Sequence, residues 1–104
     1  MRTWLNGSML EAPDQPAVSV LDHGITVGDG AFETIKAVDG QPFALTRHLQ
    51  RMARSLQGLG LTPPDDALLR EGVAAVLDGE PGDLRVRITV TAGPAPLGSE
   101  RGDS

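Results

Sequence analysis

His48, Arg51 and Ser55 stand three and four residues apart in turn, a spacing that places all three on one face of a helix. Arg51 offers the most specific chemistry of the three. A guanidinium is planar, permanently charged and forked, and it grips a phosphate through parallel N–H donors in a way that lysine cannot reproduce. The ordinary alternative is a solvated helix face. Arg85 and Arg87 share one strand face with Thr89. Covered by a second domain, such arginines recognise carboxylates; uncovered, they are the wet side of a two-layer fold. Lys36 is the only lysine and so the only side chain able to form a Schiff base. Its place on a strand near a turn, with no adjacent cation or apolar pocket in sequence, reads as a surface lysine.

The remaining reactive types are weaker candidates. Gly28-Asp29-Gly30 has too few glycines for a phosphate loop, sets an acid where an anion would sit, and leads into a strand, so it reads as a turn. Glu33 and Asp22 would make a carboxylate pair, but no spacing rule joins them. His23 and His48 lack metal-ligand spacing. Cysteine and tyrosine are absent, which removes disulfides, thiol nucleophiles and phenolic acids or bases. Arg101-Gly102-Asp103 matches a cell-adhesion tripeptide by chance composition.

These residues must be held by elements that the patterning outlines. Asn6-Gly7 between Thr3-Trp4-Leu5 and Ser8-Met9-Leu10 predicts a tight hairpin, because both turn positions tolerate positive φ. Val18-Ser19-Val20-Leu21 predicts a short strand. The run from Ala31 to Val38, Asp39-Gly40 and the return from Gln41 to Leu45 predict a second hairpin. Leu45, Leu49, Met52, Leu56 and Leu59 then follow helical spacing with Thr46 as N-cap, and Pro63-Pro64 ends that helix. Asp65 or Asp66 caps a second helix whose stripe is Leu68, Leu69, Val73, Val76 and Leu77. Leu84, Val86, Ile88 and Val90 alternate with polar residues as a half-buried strand. Hairpins favour antiparallel pairing and both helices need an apolar face to cover, so the expected class is α+β: a two-layer domain of mostly antiparallel strands with two helices.

The chain has 104 residues and a net charge of −5. That length supports one core burying roughly two-thirds of the unfolded surface. The acidic balance speaks against nucleic acid and anionic membrane as partners. No apolar run approaches the roughly 20 residues that span a bilayer, and Met1-Arg2-Thr3-Trp4 opens no signal-peptide core. The expected location is the cytoplasm.

The string from Val18 to Lys36, with Leu21-Asp22-His23-Gly24 and Gly28-Asp29-Gly30-Ala31-Phe32-Glu33-Thr34 at its heart, closely resembles the N-terminal signature of class IV, or fold-type IV, pyridoxal-phosphate aminotransferases. Trp4-Leu5-Asn6-Gly7 before it, His48-Leu49-Gln50-Arg51-Met52-Ala53-Arg54-Ser55 after it and Arg87-Ile88-Thr89-Val90-Thr91-Ala92-Gly93 follow in the family's order, and the match spans essentially the whole chain. The resemblance is greatest to aminodeoxychorismate lyases and branched-chain aminotransferases. It implies the N-terminal domain of an enzyme shaped like D-amino-acid aminotransferase, with residues 1–92 as that domain and 93–104 as the start of an interdomain linker. It implies pyridoxal phosphate held between two domains, an amino-acid-like substrate and a homodimer.

Residue by residue, the resemblance assigns Arg51 to the cofactor phosphate. It sets Phe32 and Glu33 at the border of the cofactor and substrate cavity, and matches Arg87 to an arginine of branched-chain transaminases. Those enzymes often carry an aromatic residue where this chain has Val27. D-amino-acid transaminases carry an arginine where it has Ala92. The implied reaction is pyruvate elimination from 4-amino-4-deoxychorismate, giving 4-aminobenzoate for folate synthesis, with branched-chain transamination as the alternative. The family's Schiff-base lysine lies in the second domain and does not match Lys36, so no catalytic residue is assigned here and the isolated chain is expected to be inactive. A reading from another class is a stand-alone, non-catalytic binding domain.

Overall fold

The computed structural model describes residues 1–97. The chain begins with a hairpin of β1 (Trp4–Leu5) and β2 (Ser8–Met9), with Asn6 and Gly7 both at positive φ in the turn. The short helix α1 (His23–Thr26) precedes β3 (Gly30–Val38), which turns at Asp39-Gly40 into β4 (Gln41–Pro42). Helices α2 (Leu45–Gly58) and α3 (Asp66–Leu77) follow, and β5 (Asp83–Thr91) closes the order. The main sheet is antiparallel in the order β4-β3-β5, with Phe32 opposite Thr89 and Ile35 opposite Val86.

Alternation decides what each face of that sheet does. Glu33, Ile35 and Ala37 are buried while Phe32, Thr34, Lys36 and Val38 are exposed. Ile35, Ala37 and Val86 meet Val73 and Leu77 of α3 to form the core, and Leu49, Met52 and Leu56 are the buried stripe of α2. This is the expected α+β arrangement, with helices over one side of an antiparallel sheet and the other side open. Among the described residues no helix is long and apolar enough to cross a membrane.

Three local expectations are corrected. Val18-Ser19-Val20-Leu21 forms no strand; Val20 is 78% exposed, and among the described residues no partner strand lies beside it, so β-propensity alone does not make an extended ladder. Helix α2 is not capped by Thr46. Its N-cap is Ala44 in the left-handed region, without a side-chain cap, and the Thr46 hydroxyl instead accepts from Arg70 of α3 at 2.9 Å. The return arm of the second hairpin stops at Pro42, leaving Phe43 exposed. The α3 cap is as expected, with the Asp65 carboxylate accepting from Ala67 N–H.

Gly28-Asp29-Gly30 is a turn in the structure. Gly28 has φ 67, and the N–H groups of Asp29 and Gly30 donate to the carbonyls of His23 and Gly28, so neither is left to cradle an anion. Gly30 is required for a different reason. A Cβ there would lie 2.5 Å from the Val90 carbonyl oxygen, which is backbone and cannot swing aside. Gly30→Ala is therefore expected to open the end of the β3–β5 ladder and cost about 1–3 kcal/mol, as overpacking does; urea unfolding measures it.

The stretch from Gly93, which the resemblance makes the start of a linker, stays on the domain as far as it is described. Ala95 N–H donates to the Leu21 carbonyl, Asp22 bridges to Pro94, and fully buried His23 lies 3.3 Å from the Pro96 carbonyl oxygen through Nε2. Arg101-Gly102-Asp103 falls outside the described residues.

Candidate functional site

Glu33 is in phase with Ile35 and Ala37, on the helix-facing row of β3, and is only 7% exposed. A carboxylate taken out of water needs compensating donors. The face of α2 that carries His48 and Arg51, one turn apart, supplies them. Arg51 donates from Nη2 to Oε1 at 2.7 Å and from Nε to Oε2 at 3.0 Å, while His48 Nδ1 lies 2.7 Å from Oε1. An ionised carboxylate only accepts, so the His48 proton sits on Nδ1. The 3.4 Å approach of Arg51 Nη2 to that same nitrogen is then donor against donor and not a bond.

Arg51 remains 60% exposed at its side chain, and its Nη1 has no protein acceptor among the described residues. The geometry is a guanidinium anchored on one edge and open on the other. Its hydrogen bonds hold the Glu33 carboxyl below the usual carboxylate range; burial pushes the opposite way and His48 assists the lowering. Glu33 in turn raises the Arg51 pKa.

A depressed carboxylate pKa stabilises the fold above the unfolded value, and that stability is lost as pH falls through the folded value. Relative to Glu33→Gln, the wild-type chain is accordingly expected to lose stability as acid takes it below the ordinary glutamate value of 4.5. Denaturation midpoints of both proteins, taken stepwise down in pH, check this. Parallel curves through the acid range would reject the ion pair.

The open side of the sheet holds a second group. Phe32 is 57% exposed, and the Arg87 guanidinium carbon lies 4.1 Å from its ring centroid, a cation–π distance. Stacking fixes the guanidinium plane, and with Nε donating to Thr89 Oγ1 at 3.4 Å the edge formed by Nη1 and Nη2 is left for a carboxylate. Beside this pair, Ile25, Gly28, Gly30, Ala31, Thr89 and Thr91 line a largely apolar cleft of about 380 Å³. Lys36 and Arg85, partners in register, are exposed further along the same face.

The sequence candidates therefore divide between two sides of one sheet. Glu33, His48 and Arg51 come together on the helix side, and Phe32 and Arg87 on the open side. Phe32 and Glu33, adjacent in the chain, point in opposite directions. Asp22 does not join Glu33; it caps α1, accepting from Gly24 N–H at 2.8 Å. Sequence reasoning missed the Glu33–Arg51 pair, 18 residues apart. The available signal was an acid in phase with the buried row of a strand. Among the described residues no cluster of potential metal ligands exists.

A family model described as amino-transferase class IV matches residues 30–104. A Methanocaldococcus jannaschii protein assigned as a branched-chain-amino-acid aminotransferase is 36% identical over 102 residues, covering 94% of this chain and 34% of the relative. The aminodeoxychorismate lyase of Bacillus subtilis is 33% identical over 94 residues, covering 86% of this chain and 32% of its own. In three dimensions the chain is similar to a hypothetical aminotransferase from Mycobacterium tuberculosis in its PLP-bound form, with a TM-score of 0.80, 26% identity, and coverage of 86% and 33%. The chain thus spans about a third of the length of the relatives it matches.

Proposed function

Because this chain belongs to the class IV aminotransferase family, whose members use pyridoxal phosphate, we propose that it forms the phosphate-gripping side of a 4-amino-4-deoxychorismate lyase. The reaction releases pyruvate and leaves 4-aminobenzoate, a folate precursor. The observation that carries this reading is Arg51, fixed by Glu33 along one edge and open at Nη1. A partly exposed, pre-oriented fork suits a phosphate dianion, so the residues present fit the cofactor.

When bound, pyridoxal phosphate supplies the electron sink for carbanion chemistry at the substrate's α-carbon. The chain's own residues do simpler work. Arg51 holds the phosphate. Phe32 forms an apolar wall that keeps water from one side of the cavity, and Arg87, stacked on that ring, forks a substrate carboxylate. The cleft beside them is floored by Gly28, Gly30 and Ala31, which supports a ring-bearing substrate over a short aliphatic one. Ala92, buried at 3% exposure, offers no cation where D-amino-acid transaminases carry one.

Lys36 lies exposed on the sheet and is assigned no catalytic role. We infer that turnover needs a lysine from a further domain and that the 104 residues alone are inactive. The working form is proposed to be a cytoplasmic homodimer. Branched-chain transamination is the second reading, favoured by the identity to the M. jannaschii relative. The deciding experiment supplies the cofactor-loaded, full-length protein with 4-amino-4-deoxychorismate. Pyruvate and 4-aminobenzoate released in equal amounts support the lyase. Keto acids from leucine or valine, with no elimination, would transfer the assignment to the transaminase.

A further inference from the structure

We propose that Glu33 is a positioning residue for the cofactor phosphate, acting through Arg51, and is not a wall of the substrate pocket. The inference rests on the reading of Arg51 as the phosphate ligand and extends it to a residue that touches neither cofactor nor substrate.

Glu33 interrupts a strand row that is otherwise Ile35 and Ala37, so packing does not call for it. Its side chain faces α2, across the sheet from Phe32 and the cleft. Both carboxylate oxygens are occupied. Oε1 accepts from Arg51 Nη2 and His48 Nδ1, each at 2.7 Å, and Oε2 accepts from Arg51 Nε at 3.0 Å.

An arginine this exposed on a helix surface would otherwise sample many rotamers, and an incoming anion would have to order it. Anchoring at Nε and Nη2 removes that freedom before the anion arrives. It also leaves Nη1 as the outward donor. The anchor lies on the central strand of the sheet and the arginine on the helix packed over it. The position of the fork is thereby tied to the register between the two layers. His48 shares the carboxylate, its Nδ1 lying 2.7 Å from Oε1, and so holds the anchor itself in place.

The test uses the full-length protein, with pyridoxal phosphate titrated into the apoprotein by absorbance and the bound phosphate followed by phosphorus NMR. Glu33→Gln keeps the shape and removes the charge. It is expected to raise the cofactor Kd roughly tenfold, the lower range for a group that orients a ligand, and to shift the phosphorus resonance. In an Arg51→Ala background the same change is expected to move Kd by less than about twofold, because the route has been removed. An equal loss in both backgrounds, or none in the wild-type background, overturns the inference while leaving Arg51 in place. An Arg51→Ala protein that keeps full affinity overturns the phosphate reading and this inference with it. If Arg51→Ala fails to fold, Arg51→Gln, which retains an amide donor to the Glu33 carboxylate, replaces it.

Discussion

Truncating Ile35 to alanine is expected to lower the free energy of unfolding by roughly 2–5 kcal/mol, the range for deleting a large aliphatic side chain from a core that cannot fully collapse. Ile35 has 0% exposure at the middle of β3, the central strand. Val86 faces it from β5, and Val73 and Leu77 of α3 lie in the same cluster. The cavity would open where sheet and helix layer meet, beside the β3–β5 ladder that holds its walls apart. Domains of this size have only about 5–15 kcal/mol of stability in all, so the variant would approach the point of unfolding at ordinary temperature. Val20→Ala, at a position 78% exposed, is expected to stay within about 0.5 kcal/mol of wild type. Urea titrations of the three proteins compare them directly. A similar slope with a lower midpoint identifies lost stability, whereas a changed slope indicates an altered denatured or native ensemble. Equal midpoints for Ile35→Ala and wild type would refute the assignment of this core.

The parts of the fold that sequence revealed are those fixed by local chemistry. Asn6-Gly7 and Asp39-Gly40 adopt positive φ in their turns, a conformation few other dipeptides reach at low cost. The α2 stripe and the β5 alternation are periodic enough to state which side is buried. What escaped was decided by partners. Val18 and Val20 have the composition of a strand but find no strand to pair with among the described residues. Thr46 has the chemistry of an N-cap, yet its hydroxyl bonds across to Arg70, and the chain enters α2 through a left-handed Ala44.

The site divides in the same way. The one-turn spacing of His48 and Arg51 was visible, as was the shared face of Arg87 and Thr89. The carboxylate that turns two surface side chains into a fixed group sits on another element. Strand phase places Glu33 inward, but only the packing of α2 over β3 identifies its partners. Phe32 and Arg87 likewise meet diagonally across paired strands, Phe32 standing opposite Thr89 and Arg87 opposite Thr34, a register that no single-strand pattern contains.

In the cofactor-loaded protein, Arg51→Ala is expected to weaken pyridoxal-phosphate binding by about 1.5–3 kcal/mol, the range for a hydrogen bond to a charged group. That corresponds to a Kd roughly 10- to 200-fold higher. Arg51→Lys should recover part of the loss, since it restores a point charge without the fork. The same substitution has a second consequence inside the fold. Without the guanidinium, the buried Glu33 carboxylate retains only His48, and the burial that raises its pKa is less opposed. The apoprotein should therefore be less stable at neutral pH, and its deficit relative to wild type should shrink as acid protonates Glu33, because wild type alone then loses the ion pair. Adding Glu33→Gln removes the poorly compensated charge, and leaving no unpaired charge in the buried position costs less than leaving one. The double variant is expected to regain apoprotein stability while cofactor affinity stays low. Recovery of both together would make Arg51 a folding residue alone. Recovery of stability without affinity separates the two roles and assigns the open Nη1 edge of Arg51 to the phosphate.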